Sequence, residues 1–380
     1  MVNDTHSHME TKIIDNKTIG KCRSSNLELY RIVCMLLIVT HHYVVNSGLN
    51  SPGGPIVSNP LAPNSIYLLL FGMWGKVGIN CFLMITGYFM CTSQITLRKF
   101  LKLLLQIYLY KLVIFGVFLA TGYETISFSR IIQLIMPVMN IKDEFTGCFL
   151  IFFLTIPFWN ILLKSMTNRQ HILLLILMLT IYTFMGSVPW FTVSFNYVIW
   201  FGVIYLIASY FRLYPHHIFE RRKLWGLTTV GCLALSMLSV LLLQTIGVWS
   251  YFFVIDSNKI LAVAVAVCSF LWFKNMNIKY NKNINAFGAA TFGVLLIHAN
   301  SKAMQTWLWK DTVDAVGHYT LPLGNLILYS ILVVLIIFIV CNLIDQLRIA
   351  TVEKWFFHWY DNKVSEKAER WIEKVTSNNK

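Results

Sequence analysis

Charge is what this sequence has least of. Only 13% of its 380 residues are charged while 57% are hydrophobic, whereas soluble domains average about 25% charged and roughly 45–50% apolar. A chain this poor in charge is excluded from the water-soluble globules. Short alternating strands are also missing, which excludes a membrane barrel, because apolar runs long enough for helices of about 20 residues recur along most of the chain. The first 26 residues hold no apolar stretch followed by a small-residue cleavage site, so no removed leader is expected and the first helix serves as its own insertion signal. The eight cysteines form no CxxC pair, and Cys34, Cys81, Cys232, Cys268 and Cys341 fall inside apolar runs. That placement suits packing and gives no ground for a disulfide framework or a metal site. Gly-x-Ser-x-Gly elbows, internal repeats and low-complexity tracts are absent too, so neither a serine-elbow hydrolase nor a solenoid is expected.

What remains is an all-α polytopic membrane helix bundle. Apolar windows predict about ten transmembrane helices near 27–45, 66–90, 99–120, 146–163, 171–187, 195–211, 224–248, 259–273, 284–302 and 323–345. They divide the chain into an N-terminal segment 1–26, a membrane domain 27–345 and a tail 346–380. Loops on the N-terminal side carry 23 of the 31 Lys and Arg residues, and the opposite loops carry 5. The positive-inside rule then places both termini in the cytoplasm. The same asymmetry accounts for the net charge of +14 without a nucleic-acid partner. Trp355, Phe356, Trp359, Trp371 and Ile372, mixed with both signs of charge, predict a tail helix lying on membrane lipids. Loops 46–65 and 121–145 are long enough to cover an outer entrance.

Ionisable groups inside spans are costly, so each is a candidate for function. The first span is the richest, with Glu28, Arg31, His41 and His42. Arg31 and His42 lie eleven residues apart, close to three helical turns and about 16 Å of rise, and so share one face. Together they suggest a polar shaft with Arg31 toward the cytoplasm and His42, a candidate general base, in the outer half. Each also has a plainer reading, Arg31 as a helix-end cation paired with Glu28 one turn away, and His42 as a buried hydrogen-bonded imidazole. His41 points about 100° away and reads as a supporting residue. Span two adds Lys76 and the stretch Gly78 to Tyr88. Arg98, Lys99 and Lys102 follow it, as phosphate-binding cations or simply as orienting charge. Span nine contributes His298. This set of cations and imidazoles suits an anionic or acyl ligand better than a transported cation.

At these positions the sequence resembles the acyltransferase type 3 family, integral membrane O-acyltransferases of bacterial surface polysaccharides. The resemblance runs from about residue 25 to residue 345 and rests on three ordered segments. They are Arg31-x10-His42 after Leu27-Glu28-Leu29-Tyr30, the Gly78 to Tyr88 segment with Thr86 where Ser is usual, and Phe292-Gly293-Val294-Leu295-Leu296-Ile297-His298 with Leu295 where Tyr is common. Echoes appear in Gly202 to Arg212 and around Pro157, and the family's Arg-x-x-Arg is represented by Arg98-Lys99 with Lys102. The resemblance implies a multi-pass protein of the bacterial inner membrane that moves an acyl group, usually acetyl, from acetyl-CoA to a sugar hydroxyl of a glycan or lipid-linked glycan. Acyl-CoA would be a co-substrate, with no cofactor bound permanently. In that reading His42 and Arg31 are catalytic, Lys76, Arg98, Lys99 and Lys102 bind the donor, and Glu28, His41, Thr86 and His298 support them. A transporter or flippase for a polysaccharide precursor is the alternative that ten helices around a polar cavity also fit.

Overall fold

The computed structural model describes residues 24–136, 138, 144–194 and 196–364. The expected N-terminal segment, apart from its last residues, and the outer part of the tail with Trp371 and Ile372 lie outside these. Every element among the described residues is helical, as lipid demands, because an apolar solvent leaves backbone N–H and C=O groups to satisfy one another within each segment.

In chain order these are α1 (Ser25–Val45), α2 (Pro55–Ser58), α3 (Pro63–Gly72), α4 (Gly75–Met90), α5 (Leu97–Ala120), α6 (Phe128–Ile135), α7 (Phe145–Ser165) and α8 (Asn168–Leu179). There follow α9 (Tyr197–Leu213), α10 (Arg222–Thr245), α11 (Ile260–Lys274), α12 (Lys282–Ala289), α13 (Thr291–His298), α14 (Lys302–Thr306), α15 (Leu323–Arg348) and α16 (Lys354–Lys363). Among the described residues, seven helical segments are long and apolar enough to cross a membrane, and α9 and α11 are shorter apolar helices. The protein is a multi-pass helix bundle.

Two predicted windows are not single helices. The window 66–90 is interrupted at Met73 and Trp74, between α3 and α4, and the window 284–302 is interrupted at Ala290 and ends its helix at His298. Small residues explain the tight packing around the first break. A Cβ on Gly72 would come 2.6 Å from Val44, on Gly75 2.2 Å from the His41 ring, and on Gly78 2.9 Å from Cys34 O. Close backbone approach of this kind is how membrane helices gain packing without a hydrophobic driving force between them. On α4's other side, a Cβ on Gly87 would lie 2.8 Å from Ala208 of α9.

The centre of the bundle is α1 with α4. α1 packs on α3, α4, α12 and α15, and α4 packs on α9 and α11. The Pro63–Met90 segment is accordingly 78% buried over its apolar window, against 22% for Leu97–Ala120 and for Arg222–Thr245, which form the rim. Rim side chains such as Phe158, Leu173 and Leu227 point outward, exposed, where hydrocarbon would cover them.

The last long helix does not stop at 345. α15 runs to Arg348, a π-helical turn spans Ile349–Glu353, and α16 continues to Lys363. A buried charge cluster fixes this turn. Asp345 accepts hydrogen bonds from Gln106 at 3.1 Å, Tyr110 at 2.8 Å and Arg348 Nε at 2.6 Å, and Arg348 Nη1 bonds Glu353 at 2.8 Å. Removing one partner of a buried pair strands the other charge, at about 3–5 kcal/mol. Asp345→Leu is therefore expected to destabilise the protein by about that amount, visible as a lower midpoint of thermal unfolding in detergent; an unchanged midpoint would show that Arg348 finds solvent instead.

Candidate functional site

α1 and α13 place their histidines against each other. His42 Nδ1 lies 2.9 Å from His298 Nε2, and His298 Nδ1 lies 2.6 Å from the carbonyl oxygen of Val294 one turn earlier. A carbonyl can only accept, so the proton of His298 sits on Nδ1. In the neutral ring Nε2 is then an acceptor, and the proton between the two imidazoles belongs to His42 Nδ1. His42 is left with its lone pair on Nε2. The hydrogen-bond chain thus fixes one tautomer of His42 and leaves its basic nitrogen for a substrate.

His42 lines a cavity of about 200 Å³ whose lining includes Met35, Ile38, Lys76, Phe82, Lys111, Glu144, Tyr197, Phe292, Asn300 and Gln305. Its walls are apolar on the side of Phe82 and Phe292 and polar toward Lys111 and Gln305. Lys76 donates to the Tyr197 hydroxyl at 2.5 Å, and Lys111 pairs with Glu144 at 3.5 Å. A second cavity of about 730 Å³ shares Lys111, Glu144, Ala299, Asn300 and Gln305 with the first. Its lining is completed by Arg130, Gln133 and Leu134 of α6 and by Lys302 and Ala303 of α14. Tyr123 donates to Asp311 at 2.5 Å, and this hydrogen bond to the carboxylate pushes the phenol up to about 12.

The residues singled out from sequence separate into three groups. His42 and Lys76 line the cavity, and the buried His298 holds His42 from behind it. Arg31 shares the face of α1 with His42 but does not line the cavity. Its guanidinium lies 5.9 Å from the ring centre of Phe82, which does, and its Nε lies 3.9 Å from Glu28. Phe82 stacks on Phe292 with centres 6.3 Å apart and both line the cavity, so aromatic rings rather than Arg31 form its wall on that side. The third group sits elsewhere. Arg98 pairs with Asp361 and packs over Phe357, Lys102 pairs with Glu353, and Lys99 bonds Ser93 and the Gln94 carbonyl. These cations start α5, whereas Lys111 lies about 13–20 Å further along it.

His41 and Thr86 face structure rather than the cavity. His41 Nδ1 donates to the Gly72 carbonyl at 2.6 Å, capping an oxygen that the break after α3 leaves without its helical partner. Thr86 bonds the Phe82 carbonyl of its own helix at 3.2 Å. Sequence reasoning passed over Lys111, Glu144, Tyr197, Asn300 and Gln305. Lys111 carried the signal that singled out the others, an ionisable group within a span; the rest belong to helix ends and loops, where polar residues are ordinary.

His41→Ala orphans the buried Gly72 carbonyl and should cost about 1–3 kcal/mol in detergent unfolding; an unchanged unfolding midpoint would contradict the assignment of His41 to the helix break.

Neither a search of curated proteins nor a search of solved structures gives a match. The family comparison does: residues 24–343 match the acyltransferase domain of the type 3 acyltransferases over most of the chain. The chain therefore belongs to the acyltransferase type 3 family, and the histidine pair and its cavity lie within a membrane acyltransferase domain.

Proposed function

We propose that the protein is an O-acetyltransferase of the bacterial inner membrane that moves an acetyl group from cytoplasmic acetyl-CoA to a hydroxyl of an exported or surface polysaccharide. The single observation that carries the reading is the relay from the Val294 carbonyl through His298 to His42, which leaves a basic nitrogen facing a cavity inside a membrane acyltransferase domain. The charge asymmetry of the loops supports cytoplasmic termini, and with them an outer position for the α1 end that holds His42.

His42 Nε2 takes the proton of the sugar hydroxyl as the oxygen attacks the thioester carbonyl. Negative charge then develops on the carbonyl oxygen, and Lys76, which lines the same cavity, offsets it. The carbon–sulfur bond breaks and the departing thiolate receives the proton from the His42 imidazolium. His298 holds the tautomer through both transfers, and the chain needs no covalent acyl-enzyme. Arg31, on the cytoplasmic side of Phe82, is placed to meet the donor before its arm parts the Phe82 and Phe292 rings. Arg98, Lys99 and Lys102 would hold its phosphates at the same face once Asp361 and Glu353 release Arg98 and Lys102.

The test is transfer of labelled acetyl from acetyl-CoA to surface glycan by membranes that carry variant protein at wild-type levels. His42→Ala is expected to lower transfer by about 10²- to 10⁴-fold. His298→Ala should cost less, on the order of tenfold, because the reactive tautomer of His42 remains partly populated. His298→Gln should recover part of the loss, since its amide oxygen can accept from His42 Nδ1. Wild-type transfer by His42→Ala would sink the mechanism, and mass spectra of the glycan with and without the gene would show whether it carries the acetyl groups.

A further inference from the structure

The cavity that holds His42 is too small for the acceptor whose hydroxyl it would activate. Ligand sites run from about 300 to 1,000 Å³, and this one measures about 200 Å³ with an acyl group to house as well. The adjoining vestibule measures about 730 Å³ and meets the His42 cavity at a neck formed by the residues that the two share. We propose that the vestibule binds the body of the acceptor, a hydroxyl-rich saccharide unit, and that Asn300 and Gln305 in the neck select which hydroxyl enters the cavity. This inference rests on the acyl-transfer reading.

Charge decides against the donor as occupant. Of the vestibule's three cations, Arg130 is held by Glu124 at 2.5 Å and Lys111 by Glu144 at 3.5 Å. That leaves Lys302 as the one cation of the lining without a carboxylate partner among the described residues, too little for the clustered phosphates of a coenzyme. Neutral polar groups that can both give and accept hydrogen bonds are what a polyol needs, and the neck supplies them. Gln305 makes no side-chain hydrogen bond among the described residues, so its amide can give and accept. Asn300 donates to the Leu296 carbonyl at 2.9 Å, which leaves its own amide oxygen as an acceptor. A site built to hydrogen-bond a hydroxyl rejects a ligand that lacks it more strongly than an apolar pocket rejects a change of size.

The test uses the full chain in proteoliposomes, labelled acetyl-CoA, and a panel of methyl hexosides and their deoxy analogues as probes. Gln305→Leu is expected to raise the KM for the best hexoside about tenfold relative to the KM for acetyl-CoA. It should also shrink the preference for the parent sugar over the deoxy analogue that lacks the selected hydroxyl. Ala303→Trp, which fills the vestibule from α14, should raise the hexoside KM further still. A folding fault lowers kcat for every substrate and leaves the ratio of the two KM values unchanged, so that outcome, with wild type active, overturns the vestibule assignment alone. Wild-type protein that acetylates no hexoside and no glycan overturns the transfer reading and this inference with it.

Discussion

Hydrocarbon leaves a polar group nowhere to go, and most of this architecture follows from that penalty. A backbone carbonyl or an imidazole buried without a partner costs several kcal/mol where water cannot replace the lost bond. Carbonyls freed where helices end here are accordingly capped by side chains, either from another helix or from the residues that follow. His41 of α1 takes the carbonyl that ends α3, while His298 turns back on Val294 as α13 ends and Asn300 on Leu296. Asp345 similarly collects Gln106, Tyr110 and Arg348 in a fully buried position.

The same constraint makes the histidine pair informative. Two imidazoles in contact are tolerated only when their protons are arranged in a chain, and the Val294 carbonyl sets the direction of that chain. The direction leaves His42 able to accept a proton at one atom and at no other. A rigid partner of this kind reduces the reorganisation that proton transfer would otherwise require. α1 can hold His42 in place because it is the packing centre of the bundle, pressed on several sides by α3, α4, α12 and α15.

The two ends of the bundle differ in kind. At the end where α5 begins, basic side chains are engaged by carboxylates of the chain's own last helices, Arg98 by Asp361 and Lys102 by Glu353. At the other end, cations and carboxylates pair around open space. Between them lie the rings of Phe82 and Phe292. In the proposed transfer, donor and acceptor come from opposite sides and meet beside these rings.

The membrane class, the approximate helix windows and the family were legible in the sequence, because each depends on local information: apolar run length, loop charge and motif spacing. Arg31 and His42 were placed correctly on one face of one helix, since 3.6-residue periodicity is a property of α1 alone. The windows at 66–90 and 284–302 read as unbroken because lipid-compatible composition continues through Met73 and Ala290, and composition does not report where a carbonyl is capped by another helix. Only the tertiary structure decided that His42 bonds His298 across 256 residues of chain, that Phe82 beside Arg31 lines the cavity while Arg31 does not, and that Asn300 and Gln305 join Lys111 in its lining. Those relations are set by helix packing, which brings together side chains that no local pattern connects.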